Sequence, residues 1–332
     1  MVPFCLSFVS VYGSFLRRCL ASAGLSSQSI DIDIDTATTI TFWGPSASTK
    51  PPLILLHGFG PHGIWQWRPQ ICFFSRQFSV YVPDLLFFGG STTESADRSE
   101  IFQATSIAKL MEKLGISRYS VVGTSYGGLV AYRMASMWPE RVEKVVIASS
   151  AANMRRRDHV ELMKRAKVEK VDDLLLPSSA SQLRKLLGLS VFRRLFMPDF
   201  ILNDFIDVIL HKLFFVTLCM FGSSQLLIFN YPICDCKLYS ENREEKLELL
   251  KGLTLGQDDT GTICPLSQKV LIVWGEHDKI FLLEKAVELE KYVTLVGENA
   301  RLEVIHNTSH VPQLEDSGQF NNIVNNFLRD IS

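Results

Sequence analysis

An α/β architecture, a mostly parallel sheet with helices on both faces, is predicted by two features of this 332-residue sequence. Short β-branched apolar runs alternate with stretches of helical periodicity, and Leu53–Leu56 is apolar at every position, as a strand buried on both faces is. A third feature is local. Gly123-Thr124-Ser125-Tyr126-Gly127 lies between one such run and the helical pattern that follows it.

Bulk composition narrows the field. With 47% hydrophobic and 21% charged residues the chain is globular, not disordered or fibrous. No period of about 20–50 residues recurs, so repeat architectures are excluded. The 34 Lys and Arg nearly balance the 35 Asp and Glu, which leaves no field for polyphosphate and no expectation of a nucleic-acid partner. The seven cysteines are scattered and odd in number. Only Cys234 and Cys236 lie close together, and without a second His/Cys cluster they make a poor metal site. Buried or free thiols in a reducing compartment are expected, with no metal and no organic cofactor.

The elements follow in order. Residues 1–29 form an N-terminal amphipathic segment. Ser7, Ser10, Ser14 and Arg17 share one helical stripe; Cys5, Phe8, Val9, Tyr12, Phe15, Leu16 and Leu20 lie opposite. Such a helix suits a membrane interface or packing on its own domain, and both readings stay open. Arg17-Arg18 follow the apolar run, whereas a secretory signal puts its charge first. A cytoplasmic address is therefore expected, with peripheral membrane contact as an option and secretion disfavoured.

Residues 30–150 read as the first part of the core. Ile30–Ile34 and Thr38–Trp43 make an opening antiparallel hairpin, and buried strands cover Leu53–Leu56, Ser79–Val82, Ser120–Val122 and Lys144–Ala148. Residues 263–332 supply the second part, with strands at Val270–Trp274 and Arg301–Ile305. Helices are predicted near 101–114, 126–137, 282–293 and 318–330. Between the two parts, 151–262 is helix-like throughout, opens on the basic run Arg155–Arg157, and has the pattern of a helical cap inserted between two sheet strands.

One stretch departs from this pattern. Leu213–Cys234 carries no charge and is long enough for a transmembrane helix. A single crossing there would separate Ser125 from the late Asp and His residues discussed next. Two readings remain: a hydrophobic cap element around a lipid-binding slot, or an anomalous insertion near 208–236 that leaves the cap misassembled.

The chemistry-bearing residues sit at strand ends. Gly123–Gly127 follows a strand and opens a helix, the context of a nucleophile elbow that projects Ser125 from a strained turn. The helix N-terminus places its positive dipole end beneath developing negative charge. His57-Gly58-Phe59-Gly60 directly follows Leu53–Leu56, so a backbone N–H, that of Phe59, can turn toward Ser125. The Tyr126 N–H supplies a second oxyanion donor. His57 itself reads as structural. Asp278 lies in the turn after Val270–Trp274, with Glu276 and His277 as rivals; His310 follows Arg301–Ile305, with His306 as rival. Ala148–Asn153 offers no carboxylate. Active sites of open parallel sheets gather at the carboxyl ends of strands, where Ser125, Asp278 and His310 all fall. In a triad His310 takes the serine proton and Asp278 orients the imidazole.

The stretches LILLHGFG, VPDLLFFGGS, VVGTSYGG, VLIVWGEHD and NTSHVPQLE resemble the α/β-hydrolase superfamily, above all its plant lipase-like and monoacylglycerol-lipase-like members. They cover roughly 30–150 and 263–331. The resemblance implies an α/β-hydrolase fold with nucleophile Ser125, acid Asp278, base His310 and oxyanion donors Phe59 and Tyr126. It also implies an esterase or lipase acting on a small-molecule or lipid ester of medium or long acyl chain. Trp65, Trp67 and Phe59 would suit such a pocket as walls, or serve as plain core. Epoxide hydrolases and haloalkane dehalogenases are similar but use an Asp nucleophile, which Ser125 disfavours. A ligand receptor with slow turnover, an inactive scaffold and a Ser-triad hydrolase of C–C or peptide bonds are the alternatives.

Overall fold

The computed structural model describes residues 7–47, 49–150, 152–206, 238–254, 263–294 and 299–330. Helix α1 (Phe8–Ser22) precedes strands β1 (Leu25–Asp33), β2 (Thr38–Pro45) and β3 (Pro52–Leu56). Short helices α2 (Gly63–Gln66) and α3 (Arg68–Phe74) lead to β4 (Ser79–Pro83), α4 (Glu100–Lys113), β5 (Tyr119–Thr124), α5 (Tyr126–Met137) and β6 (Val142–Ala148). The described residues before the next strand form helices only: α6 (Arg156–Ala166), α7 (Asp172–Leu175), α8 (Ala180–Ser190), α9 (Asp199–Ile206) and α10 (Arg243–Lys251). Then come β7 (Lys269–Gly275), α11 (Leu283–Val293), β8 (Ala300–Ile305), α12 (Pro312–Glu315) and α13 (Ser317–Leu328).

The eight strands form one sheet in the order β1-β2-β4-β3-β5-β6-β7-β8. β1 and β2 are antiparallel to each other, and β2 to β4; every pairing from β4 to β8 is parallel. All residues of β4 and β5 are buried, as is β3 beyond Pro52, because helices cover both faces. The β1 edge instead buries only Leu25 and Ile32, and carries Asp31 and Asp33, charges that discourage pairing with another chain. Lys109 of α4 reaches Asp33 at 2.5 Å.

The opening hairpin is longer than its apolar alternation suggests. β1 starts at Leu25, and the polar run Ser26–Ser29 pairs with Thr41–Gly44 through backbone hydrogen bonds that composition does not reveal. Ile34 falls outside the strand and is 88% exposed. Helix α1 packs on its own domain through Val9, Leu16 and Leu20, which are buried, while Phe8 and Phe15 are about half exposed. Ser7 leaves its expected polar stripe to act as the helix cap, accepting from the Ser10 N–H.

Ion pairs join the helical segment to the sheet layer. Arg155 meets Glu288 at 2.5 Å, and Lys285 meets Asp158 at 2.7 Å, so α6 is tied to α11. Glu100 of α4, fully buried, receives Arg133 of α5 at 2.7 Å and the Thr254 N–H, beyond α10, at 2.8 Å. The stretch 208–236, with Leu213–Cys234 and the Cys234/Cys236 pair, lies outside the described residues. Among the described residues no helix is long and apolar enough to cross a membrane.

Candidate active site

The turn from β5 into α5 holds Ser125 at φ +53°, a conformation costing a non-glycine residue about 1–3 kcal/mol. Its flanking glycines are steric requirements. A Cβ at Gly123 would lie 2.1 Å from the Gly127 carbonyl oxygen, and one at Gly127 would lie 2.3 Å from that of Leu56. The strained residue is pinned on both sides: its N–H donates to the Ala148 carbonyl at 2.9 Å, and the Ser150 hydroxyl donates to its carbonyl at 2.8 Å.

Two further strand ends deliver the partners. Asp278 follows β7, and its Oδ1 accepts the N–H groups of Ile280 (2.8 Å) and Phe281 (2.9 Å). Its Oδ2 lies 3.0 Å from His310 Nδ1. His310 follows β8, and its Nε2 lies 3.1 Å from Ser125 Oγ. The Asp278 side chain is fully buried and that of His310 only 10% exposed, with the Phe281 ring edge-on to the imidazole. An ionised carboxylate can only accept, so Nδ1 carries the proton and Nε2 presents a lone pair to the serine hydroxyl. The rivals pair with one another instead: Glu276 stands 3.2 Å from His306 and 3.4 Å from His277, and all three side chains are at least a third exposed.

The loop after β3 faces the same serine. The Phe59 and Tyr126 N–H groups donate to no other group among the described residues. Tyr126 is the first residue of α5 and has no intrahelical acceptor. His57 is structural, as its place in the turn suggests. Its Nδ1–H donates to the Gly58 carbonyl at 2.8 Å, and its Nε2 accepts the Leu85 N–H at 3.0 Å. Burial pushes its imidazole down to about 4, with Asp84 partly opposing. Burial pushes the Asp84 carboxyl up, but His62 at 3.4 Å and the Gly63 N–H at 3.1 Å outweigh it and hold the group below its ordinary value.

Sequence reasoning missed two residues here. Gln66 clamps the loop: its Oε1 accepts the Gly58 N–H at 2.8 Å, and its Nε2 donates to Gly58 O (3.0 Å) and Pro61 O (2.5 Å). Glu315 accepts the Ser309 N–H (2.7 Å) beside His310 and the Phe192 N–H (2.8 Å) from the helical segment. A lone amide or carboxylate carries no local signal; both act through loops that only the fold brings near.

A cavity of about 850 Å³ opens on Ser125 and His310. Phe59, Trp65, Leu183 and Leu187 are among its mainly apolar walls. Trp67, expected beside Trp65, is not. It is fully buried and packs against Phe320 of α13 with ring centroids 6.1 Å apart, because α2 ends at Gln66 and the next residue turns into the core. Among the described residues no three His, Cys, Asp or Glu side chains gather as a metal site.

Known proteins agree with this architecture. A family model for the alpha/beta hydrolase fold matches residues 51–203. Epoxide hydrolase 3 of Xenopus tropicalis is 26% identical over 298 residues, covering 85% of this chain and 72% of the relative. The monoacylglycerol lipase ABHD6 of Homo sapiens is 25% identical, covering 85% and 76%. Among solved structures, a bacterial membrane phospholipase A superposes with a TM-score of 0.71 at 20% identity, covering 97% of this chain and 91% of that one. A meta-cleavage product hydrolase gives 0.64 at 21%, covering 91% and 98%. The chain has the α/β-hydrolase fold, and the family model together with these relatives supports a member of that superfamily.

Proposed function

We propose that this protein is a serine hydrolase that cleaves carboxylic esters of medium or long acyl chains through an acyl-enzyme. The observation that carries this reading is the unbroken relay from Ser125 Oγ to His310 Nε2 (3.1 Å) and from Nδ1 to Asp278 Oδ2 (3.0 Å). His310 removes the hydroxyl proton as Ser125 Oγ bonds to the ester carbonyl carbon. The developing oxyanion is taken up by the Phe59 and Tyr126 N–H groups, with the α5 N-terminus behind them. Collapse breaks the bond to the alcohol oxygen, which receives the proton from His310. Water then repeats the sequence on the acyl-serine: His310 takes its proton, the carboxylic acid leaves, and Ser125 regains its hydrogen. Asp278 holds the imidazole tautomer and stabilises the imidazolium.

The cavity's apolar walls, Trp65 among them, favour a hydrocarbon acyl group. The helices between β6 and β7 act as its cap. Relatives point to two chemistries, a monoacylglycerol lipase and an epoxide hydrolase. Serine at position 125 favours the first. Peripheral contact with a membrane would suit a lipid ester, and the exposed Phe15 (55%) and Phe196 (96%) are of the kind that enter an interface. Cosedimentation with phosphatidylcholine vesicles tests that contact, and a protein left wholly in the supernatant rules it out.

Fluorophosphonate labelling tests the chemistry. The wild type is expected to label and Ser125→Ala not to. Hydrolysis of p-nitrophenyl esters of graded length should appear and vanish in parallel. Equal labelling of both proteins would sink the assignment.

A further inference from the structure

Building on the ester-hydrolase reading, we propose that α1 is a wall of the acyl site, pinned there by Asp204, and that Tyr12 governs how long a chain is accepted. Four aromatic rings from three distant segments meet along the cavity that opens on Ser125: Phe8 and Tyr12 of α1, Trp65 of α2 and Phe205 of α9. Tyr12 lies 5.4 Å from Trp65 and 5.6 Å from Phe8; Phe205 lies 5.8 Å from Trp65 and 6.1 Å from Phe8, between ring centroids. Helix α1 thus has two working faces. Val9, Leu16 and Leu20 enter the core, while Phe8 and Tyr12 border the cavity.

A specific tether sets where that second face stands. Asp204 Oδ2 accepts the Ser7 hydroxyl at 3.0 Å and the Val9 N–H at 2.9 Å, across about 200 residues of sequence. The first N–H groups of a helix lack intrahelical partners, and negative charge there is favourable. Helix α1 has no acidic residue in its own first turn, so α9 supplies the charge. One cation at the wall, Arg68, donates to the Trp65 carbonyl at 2.9 Å and lies 6.0 Å from the Tyr12 ring. The wall itself is aromatic carbon, suited to methylene groups of an acyl chain. Family-model coverage begins at residue 51, so this wall comes in part from outside the matched region.

The test compares long and short chains. Each methylene left uncovered loses about fourfold in binding. Tyr12→Ala should lower the ratio of kcat/KM for p-nitrophenyl dodecanoate over butyrate about tenfold. It should raise the dissociation constant of dodecanoate, read by displacement of cis-parinaric acid, by a similar factor. Asp204→Asn should shift both in the same direction about threefold, and Asp204→Glu should restore them. Tyr12→Phe, which keeps the ring, should keep the ratio. If Tyr12→Ala does not fold, Tyr12→Leu is read the same way. A ratio and a dodecanoate affinity within about twofold of wild type in both the Tyr12 and Asp204 variants overturn the proposal, whatever their melting temperatures. A wild type that takes no fluorophosphonate and hydrolyses neither ester overturns the ester-hydrolase reading instead, and the binding comparison still decides the wall.

Discussion

The rim of the sheet and the helices above it are built in different ways. At the rim Ser125, Asp278 and the Phe59 loop are each held by more than one hydrogen bond. Ser125 is held through its backbone by the Ala148 carbonyl and the Ser150 hydroxyl, Asp278 by two N–H groups of its own turn, and the Phe59 loop by Gln66 and His57. The helical walls are tied to neighbouring helices by side chains, such as Glu100 of α4 with Thr254 beyond α10, or Asp204 with α1. The relay from Ser125 to Asp278 rests on strand ends and tight turns; the cavity beside it rests on helices that can be altered singly.

Four measurements break or sharpen that contrast. The largest effect belongs to the rim. Asp278→Asn should leave the cavity intact while favouring the wrong imidazole tautomer, lowering kcat by about 10⁴-fold. Retention of more than a tenth of the activity would mean Asp278 is not the orienting acid. Next comes the joint. Arg133→Met leaves the buried Glu100 carboxylate without its guanidinium and should cost about 3–5 kcal/mol in urea denaturation. Limited proteolysis should then cut the helical segment before the sheet; simultaneous loss of both would erase the distinction drawn between them.

A smaller effect depends on pH. His57 stays neutral in the fold down to about 4, whereas the unfolded chain takes up that proton below about 6.5. The unfolded state therefore binds more protons in this window. The stabilisation is whole above pH 6.5 and declines as pH falls toward 4, by about 3 kcal/mol in all. Urea midpoints at pH 7 and 4.5 should show a steeper loss in wild type than in His57→Gln, and equal slopes would count against the assignment. The smallest effect is Gln66→Leu. It frees the loop without removing a donor, so kcat should fall about 10- to 100-fold, short of the 10²–10³ for deleting one outright. A matching rise in KM with kcat intact would place Gln66 in substrate binding instead.

The same contrast explains how much was legible beforehand. Unbroken apolar runs such as Leu53–Leu56 and Val270–Trp274 announce buried strands, and the elbow glycines are demanded by contacts near 2 Å, so the sheet and the Ser125, Asp278 and His310 positions could be read in advance. The insertion of β3 between β4 and β5 has no local signature. Nor do α2 and α3, whose few residues are too short for helical periodicity. Trp65 and Trp67 are indistinguishable by type, and only the end of α2 between them sends one to the cavity and one to the core. Asp204 and Gln66 act across tertiary distance, which pattern cannot supply.

The span from Ser125 to His310 has a temporal corollary. A ribosome that has just added Ser125 has 185 residues still to add before the imidazole of His310 is in the chain, and β8 must then dock beside β7 to present it. On the ester-hydrolase reading, the hydroxyl is thus without its base throughout synthesis and gains it only at β8. A nascent chain stalled short of that point is then expected to take no fluorophosphonate, and the onset of labelling would report completion of the sheet.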